Sequence, residues 1–148
     1  MDNIKIYLKT DNHSIKRAKR TGIYLMSFTK KDSTLVTYPP IERIMESIIH
    51  TETTWIETEA ELLNKALSAV SRPCEVQIYT ECPQLEIMLD LWIPTWREKE
   101  WKKSGGEDVP EVYRELAEQK EPHNITITRE GHEFSSWMDT QIAKSKGE

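Results

Sequence analysis

The sequence has 148 residues, of which 30% are charged and 37% are hydrophobic, and its formal net charge is −5. This length allows one domain with a hydrophobic core and is short for two. No apolar run reaches the roughly 20 residues of a membrane span, and the negative net charge argues against a general nucleic-acid coat protein. We therefore predict one soluble domain over residues 1–148, ending in a flexible tail at 142–148.

The two cysteines, Cys74 and Cys82, flank one predicted strand. A strand rises by about 3.3 Å per residue, so its two ends lie too far apart for a disulfide. The first residues, M-D-N-I-K-I-Y, lack the apolar segment of a signal peptide. Reduced thiols without an export signal predict a cytoplasmic protein that has no membrane partner.

The first third of the chain predicts strands. Residues 3–9 alternate between apolar and polar, which is the period of a strand. Residues 22–28 predict a second strand and 33–38 a third, which Pro-Pro ends. Residues 41–56 are ambiguous between a strand extension and a short helix.

A basic segment, K-R-A-K-R, joins the first two strands. It carries Lys16, Arg17, Lys19 and Arg20 within an otherwise acidic chain. Two interpretations stay open: the segment binds phosphates, or it is only a solvated loop.

The middle of the chain predicts a helix, a strand and a second helix. Residues 58–70 have helical spacing, with Thr58 as the N-cap and Glu61 completing a capping box. The next strand ends at Glu81, and Pro83 opens a segment with apolar residues at helical spacing.

The last third predicts a helix, a strand and a closing helix. The helix covers 109–120 with Pro110 at its start, the strand 124–128 and the closing helix 136–144. The resulting order, β-β-β-α-β-α-α-α-β-α, predicts an α/β fold. Its mixed five-stranded sheet would join an antiparallel meander to parallel strands, with helices on its faces.

Three segments carry a resemblance to a known family. They are A-E-L-L-N-K-A-L-S-A-V followed by R-P-C-E-V-Q-I-Y-T-E, then L-W-I-P-T-W-R-E-K-E-W-K-K-S, and finally Gly131-His132 after the last strand. Together they resemble ribonuclease H of type 1. The resemblance implies the ribonuclease H-like fold and a hydrolase that cuts the RNA strand of RNA/DNA hybrids. It also implies a Trp-rich handle, an insertion at 91–108.

The resemblance implies two-metal chemistry, in which carboxylates hold two Mg²⁺ ions about 4 Å apart. It places Glu61 at the helix carboxylate, although Glu61 could also serve only in the capping box. It places Glu81 where the family has Asp, and the added methylene disturbs the metal geometry. If the site is active, Mg²⁺ or Mn²⁺ would be held by Glu61, Glu81 and Asp11.

Lys9 occupies the position of the first carboxylate. Asp11, two residues on, would replace that ligand only after a shift of register. Asp139 is the fourth carboxylate that the resemblance implies, although it follows His132 by fewer residues than in the family and can equally be a surface residue. His132 would assist product release.

The residues that would contact a substrate also depart from the family. The stretch Ile56-Glu57-Thr58 replaces a phosphate-binding threonine and two asparagines. The handle keeps three residues that would contact nucleic acid, which are Trp96, Trp101 and Lys102. The tryptophans could instead pack in the core, and the acids of the handle weaken phosphate binding.

Two functional hypotheses follow. Either the chain is an active ribonuclease H with a rearranged carboxylate set, or it keeps the fold and binds a nucleic acid or a protein without cutting. We favour the second, because the departures affect catalysis and substrate binding together. It predicts that the Lys9 ammonium bridges Glu81 and Glu61 where a metal ion would lie.

Overall fold

The computed structural model describes residues 2–30 and 41–147, with side chains over 3–27 and 46–147. The strand predicted at 33–38 and the Pro-Pro after it lie outside the described residues. Within the described ranges the sheet has five strands in the order β3-β2-β1-β4-β5. They are β1 (Asp2–Thr10), β2 (Ala18–Lys30), β3 (Ile41–Thr53), β4 (Cys74–Tyr79) and β5 (Asn124–Thr128).

The sheet is mixed, as the sequence predicts. Strands β1, β2 and β3 pair antiparallel, whereas β1 with β4 and β4 with β5 pair parallel. In the parallel pair, Tyr7 of β1 lies opposite Tyr79 of β4. Lys9 and Glu81 each lie two residues further along and on the same face of the sheet as Tyr7 and Tyr79. They therefore come together where the two strands end.

The helices follow the predicted order with different starting points. They are α1 (Trp55–Leu67), α2 (Leu85–Ile87), a π-helical turn (Met88–Trp92), α3 (Ile93–Glu98), α4 (Glu111–Lys120) and α5 (Ser135–Ser145).

The predicted N-cap of α1 is wrong. Thr54 caps the helix by accepting a hydrogen bond from the amide of Glu57, and Thr58 lies inside the helix. The reason is that β3 continues to Thr53, which resolves the ambiguous segment as mostly strand.

The two faces of the sheet build two hydrophobic clusters. On one face, β1 and β4 contribute alternate apolar residues to the main core beneath α1 and α4. On the other face, Tyr7, Ile23 and Leu25 pack against Met138 and Ile142 of α5. The predicted flexible tail is therefore wrong up to Ser145, because α5 is anchored by Ile142 in this second cluster.

The Trp-rich handle is folded back toward the domain. Helix α3 ends at Glu98, and Glu100 and Trp101 follow with φ of 54° and 63°. Lys102 then forms a bridge with Asp108, and the amide of Val109 donates to the carbonyl of Trp101. The chain thus reverses within a few residues. Among the described helices, none combines the length and the apolar character that a membrane crossing requires.

Candidate functional site

A cluster of charged side chains lies where β1 and β4 end. Lys9 is only 9% exposed, and its Nζ lies 3.7 Å from Oε1 of Glu81 and 3.0 Å from Oδ2 of Asp139. The same ammonium donates to Oγ of Ser135 at 2.5 Å and lies 3.4 Å from the carbonyl oxygen of Ser135. The predicted contact between Lys9 and Glu81 is confirmed. We call Lys9, Glu81, Ser135 and Asp139 the Lys9 cluster.

Helix α5 supplies half of this cluster. Ser135 and Asp139 are four residues apart, so both side chains lie on the same face of the helix. That face meets the strand ends because Met138 and Ile142 are buried against the sheet. Asp139 therefore joins the cluster although its spacing from His132 is shorter than the resemblance implies.

The helix carboxylate beneath the strand ends is Glu59. It is 1% exposed, and its Oε1 accepts from Nε1 of Trp55 at 3.2 Å and from Oγ1 of Thr10 at 3.4 Å. None of the residues that the structure describes forms a hydrogen bond with its Oε2. Burial raises the pKa of Glu59 to about 8, which the bonds from Trp55 and Thr10 oppose and the negative charge of Glu81 reinforces. Glu59 therefore holds a proton at neutral pH.

The prediction that Glu61 takes this position is wrong. Glu61 is exposed on α1 and lines a shallow surface depression with Lys65 and Glu115. The sequence did contain a clue, because Glu59 precedes the buried Leu62 and Leu63 by three and four residues. Glu59 thus shares their inward face, whereas Glu61 does not.

Asp11 is engaged at the junction of β1 and β2. Its Oδ1 accepts from the amide of Thr21 at 2.9 Å, and its Oδ2 lies 3.0 Å from Nζ of Lys146. Burial by itself would raise the pKa of Asp11, but the amide of Thr21 and the ammonium of Lys146 lower it overall. The shift of register that would bring Asp11 into the place of Lys9 does not occur.

His132 lies in an aromatic cluster. Its ring centroid is 4.6 Å from that of Tyr7 and 5.6 Å from that of Tyr79, and its Nδ1 accepts from the amide of Phe134. Burial and the nearby Lys9 lower the pKa of His132, against a smaller opposing effect of Glu81. These contacts hold the imidazole beside the Lys9 cluster.

The residues at the strand ends do not fit a divalent metal ion. Mg²⁺ needs several oxygen ligands, and here an ammonium lies between Glu81 and Asp139. Across the described part of the chain, no three acidic, histidine or cysteine side chains are placed to hold a metal ion. The predicted ligand set of Glu61, Glu81 and Asp11 is not brought together.

The basic segment divides into a buried anchor and an exposed surface. Arg20 is 2% exposed, and its guanidinium donates to carbonyl oxygens of the loop and of the strands beside it, namely those of Asn12, Ser14, Lys16, Ala18 and Thr53. The prediction that Arg20 contacts nucleic acid is therefore wrong. Lys16, Arg17 and Lys19 are exposed. Arg20 fixes the loop that carries Lys16 and Arg17, and Lys19 lies next to it in β2.

The three handle residues have contacts within the domain. The ring of Trp96 lies 4.9 Å from that of Tyr113, and Trp96 and Trp101 both pack against the main core. Lys102 forms an ion pair with Asp108. These contacts favour the core-packing interpretation of the tryptophans.

Sequence reasoning missed Glu59 and four polar residues around it and Lys9. Trp55, Thr10 and Thr80 surround Glu59, and Ser135 contacts Lys9. Their positions follow from the packing of α1 and α5 on the sheet, for which the local pattern gives no direct sign.

Comparison with known proteins gives partial sequence matches. No protein-family model matches the chain. It is 34% identical over 64 residues to the ribonuclease H of Cupriavidus pinatubonensis, which covers 42% of this chain and 44% of that protein. It is 38% identical over 63 residues to the ribonuclease H of Legionella pneumophila strain Corby, which covers 41% of this chain and 44% of that protein. The matches thus span less than half the length of these relatives.

Solved structures match over nearly the whole chain. LC9-RNase H1, described as a type 1 RNase H with the type 2 active-site motif, matches with a TM-score of 0.72 and 14% identity, covering 99% of this chain and 72% of that one. A foamy viral protease-reverse transcriptase in complex with dsDNA matches with a TM-score of 0.56 and 13% identity, and the match covers 97% of this chain and 89% of that one. The foamy viral protease-reverse transcriptase in complex with an RNA/DNA hybrid matches with a TM-score of 0.55 and 11% identity, and the match covers 95% of this chain and 19% of that one.

Proposed function

We propose that this protein binds nucleic acid without cutting it. The chain has the ribonuclease H-like fold and is similar in part to curated ribonucleases H. The observation that carries the proposal is the Lys9 ammonium, 3.7 Å from Glu81 and 3.0 Å from Asp139. It supplies the positive charge that these carboxylates would otherwise take from a metal ion.

The position of Lys9 opposes metal binding in two ways. A divalent cation between Glu81 and Asp139 would meet the ammonium at short range, where like charges repel strongly. The ammonium is also held by Ser135, so moving it aside breaks a charge-assisted hydrogen bond. This arrangement therefore disfavours the binding of the metal ions that two-metal hydrolysis requires.

Nucleic-acid binding is supported by the fold neighbours and by the basic loop. Two neighbours are described in complex with dsDNA or an RNA/DNA hybrid. In this chain Lys16 and Arg17 extend from a loop that Arg20 fixes from inside, and the exposed Lys19 follows at the start of β2. Cations on a loop whose backbone is already fixed bind phosphates with a smaller loss of backbone entropy.

The first test is cleavage of a labelled RNA/DNA hybrid in Mg²⁺ and separately in Mn²⁺. We expect no cleavage by the folded wild-type protein in either metal. Cleavage that disappears in Glu59→Gln but persists in Glu61→Gln would contradict the proposal. It would establish the alternative, an active ribonuclease H with a rearranged carboxylate set.

The second test replaces the ammonium by a carboxylate. Lys9→Asp places an acid beside Glu81 and Asp139, so we expect Mn²⁺ to raise the melting temperature of this variant and leave that of the wild type unchanged. Lys5→Asp, an exposed position on the same strand, is the matched control for the change in charge. An equal response of wild type and Lys9→Asp would show that the ammonium does not exclude the metal.

Binding is tested by fluorescence anisotropy with the same hybrid. We expect Lys16→Glu combined with Arg17→Glu to weaken binding by about tenfold or more at low salt. Lys99→Glu, an exposed charge reversal on the handle, should change it little. Equal affinity of all three proteins would place the contact outside the basic loop.

A further inference from the structure

A row of exposed apolar side chains lies on the helical segment after β4. Ile87 is 49% exposed and Leu91 is 60% exposed, one helical turn apart. Leu91 also lines a shallow depression with Trp92, Thr95 and Trp96. The side chains of Trp92 and Trp96 are partly exposed to solvent. We call Ile87, Leu91, Trp92 and Trp96 the apolar ridge. Grouped apolar side chains that remain exposed in a folded domain commonly mark an interaction surface.

The backbone beneath the ridge includes an irregular helical turn. Met88–Trp92 forms a π-helical turn between α2 and α3. Within this segment Met88, Leu89 and Ile93 are buried in the main core, while Leu91 faces solvent. Such turns are rare, destabilise the helix relative to a regular one and occur frequently at functional sites.

The surroundings of the ridge are acidic. The segment that carries the ridge, residues 85–98, has three exposed acids, Glu86, Asp90 and Glu98, against one base, Arg97. Arg97 pairs with Glu121 of α4, so its charge is already matched. Two other acids of α4, Glu111 and Glu115, line a separate depression with Lys65 of α1.

We propose that the apolar ridge and its acidic surroundings form a docking surface for a protein segment that carries apolar side chains flanked by lysine or arginine. Charge complementarity selects this occupant. Apolar side chains would cover Ile87 and Leu91 while cations face the acids, the usual arrangement of an apolar centre with a charged rim.

The same charges oppose two other occupants. A nucleic acid would bring phosphates against a net negative surface, which disfavours binding. A second copy of the chain, docked symmetrically, would bring the same acids against each other. The docking surface is thus separate from the basic loop, and it does not depend on the proposed nucleic-acid binding.

The test uses a fluorescein-labelled peptide of about 15 residues that places leucine and lysine at helical spacing. We expect it to bind the full chain, and Leu91→Asp to weaken that binding by about tenfold or more. Ile15→Asp is the matched control, because Ile15 is 76% exposed outside the ridge and the substitution changes the charge equally. It should leave the peptide affinity unchanged.

Four results of the peptide and self-association measurements would overturn the proposal. They are no binding of the leucine–lysine peptide, equal binding of a leucine–glutamate peptide, equal binding by Leu91→Asp, and self-association of the chain that Leu91→Asp abolishes. The RNA/DNA hybrid is titrated in parallel. Hybrid binding that survives in Leu91→Asp keeps the two surfaces distinct, whereas its loss would assign the ridge to nucleic acid and also overturn the proposal.

Discussion

Two carboxylate environments meet where β1 and β4 end, and they balance negative charge differently. Glu81 and Asp139 lie at the solvent edge, with side chains 50% and 62% exposed, and they share the Lys9 ammonium. Glu59 lies beneath the strand ends, fully enclosed by Trp55, Thr10 and the core, and it keeps a proton.

The difference shows that burial decides how a carboxyl group is neutralised. Water stabilises the charges of Glu81 and Asp139, so a long lysine side chain that reaches them from β1 is sufficient. Among the described residues no cation pairs with Glu59, and an ionised carboxylate in such a place is costly, so protonation is the lower-energy state. A metal ion would have to ionise Glu59 and displace Lys9 together.

The largest effect that we expect comes from Glu59→Gln. The pKa of Glu59 is about 8 in the folded protein, against 4.5 for an exposed glutamate. Between these two pH values the carboxyl group ionises in the unfolded state but not in the folded state, so the free energy of unfolding falls as pH rises. The amide does not ionise, so the variant should match the wild type below pH 4.5 and exceed it by up to about 5 kcal/mol above pH 8.

The measurement is the free energy of unfolding in urea from pH 4 to 9. Glu61→Gln is the control on the same helix: Glu61 is exposed and this variant keeps Glu59, so its stability profile should stay close to that of the wild type. Parallel profiles for wild type and Glu59→Gln would mean that Glu59 is ionised in the folded protein, and the contrast between the two environments would fail.

A smaller effect is expected from Lys9→Met, which keeps the apolar stem and removes the ammonium. Ser135, Glu81 and Asp139 lose their shared cation. Since both carboxylates remain in contact with water, the loss of stability should be about 1–2 kcal/mol. Urea denaturation at low and high salt measures it, and salt should reduce the difference.

Lys5→Met provides the comparison for this variant, because Lys5 is exposed on the same strand. A loss no larger than that of Lys5→Met would show that the ammonium contributes nothing to holding α5 against the strand ends.

The smallest effect should come from Ser135→Ala. The hydroxyl accepts from Lys9, but the ammonium retains Glu81 and Asp139. We expect a loss of about 0.5–1 kcal/mol, below that of Lys9→Met. Thermal unfolding beside Ser136→Ala, an exposed neighbour, tests this order. A loss as large as that of Lys9→Met would make Ser135, rather than the carboxylates, the main partner of Lys9.

Much of the fold was predictable because each element carries its own pattern. The strand at 124–128 was predicted with the observed bounds, and the closing helix differs by one residue at each end. The start of α1 was missed because Thr54 and Thr58 are both acceptable caps locally. β3 pairs with β2 as far as Thr53, so the helix begins directly after Thr54, and Thr58 is excluded as the N-cap.

The candidate site was predictable where strand register alone decides it. The pairing of Tyr7 with Tyr79 places Lys9 beside Glu81. The sequence determined this pair through its resemblance to ribonuclease H, which implies that the two strands are neighbours, and alternation along each strand then puts both side chains on one face.

Only the tertiary structure decided which other acids join. Glu59 and Glu61 differ by two positions on one helix, and the packing of α1 against the sheet buries the first and exposes the second. Asp139 reaches Lys9, and Asp11 instead reaches Lys146, because α5 docks through Met138 and Ile142. These choices depend on distances between elements far apart in the chain, which no local periodicity encodes.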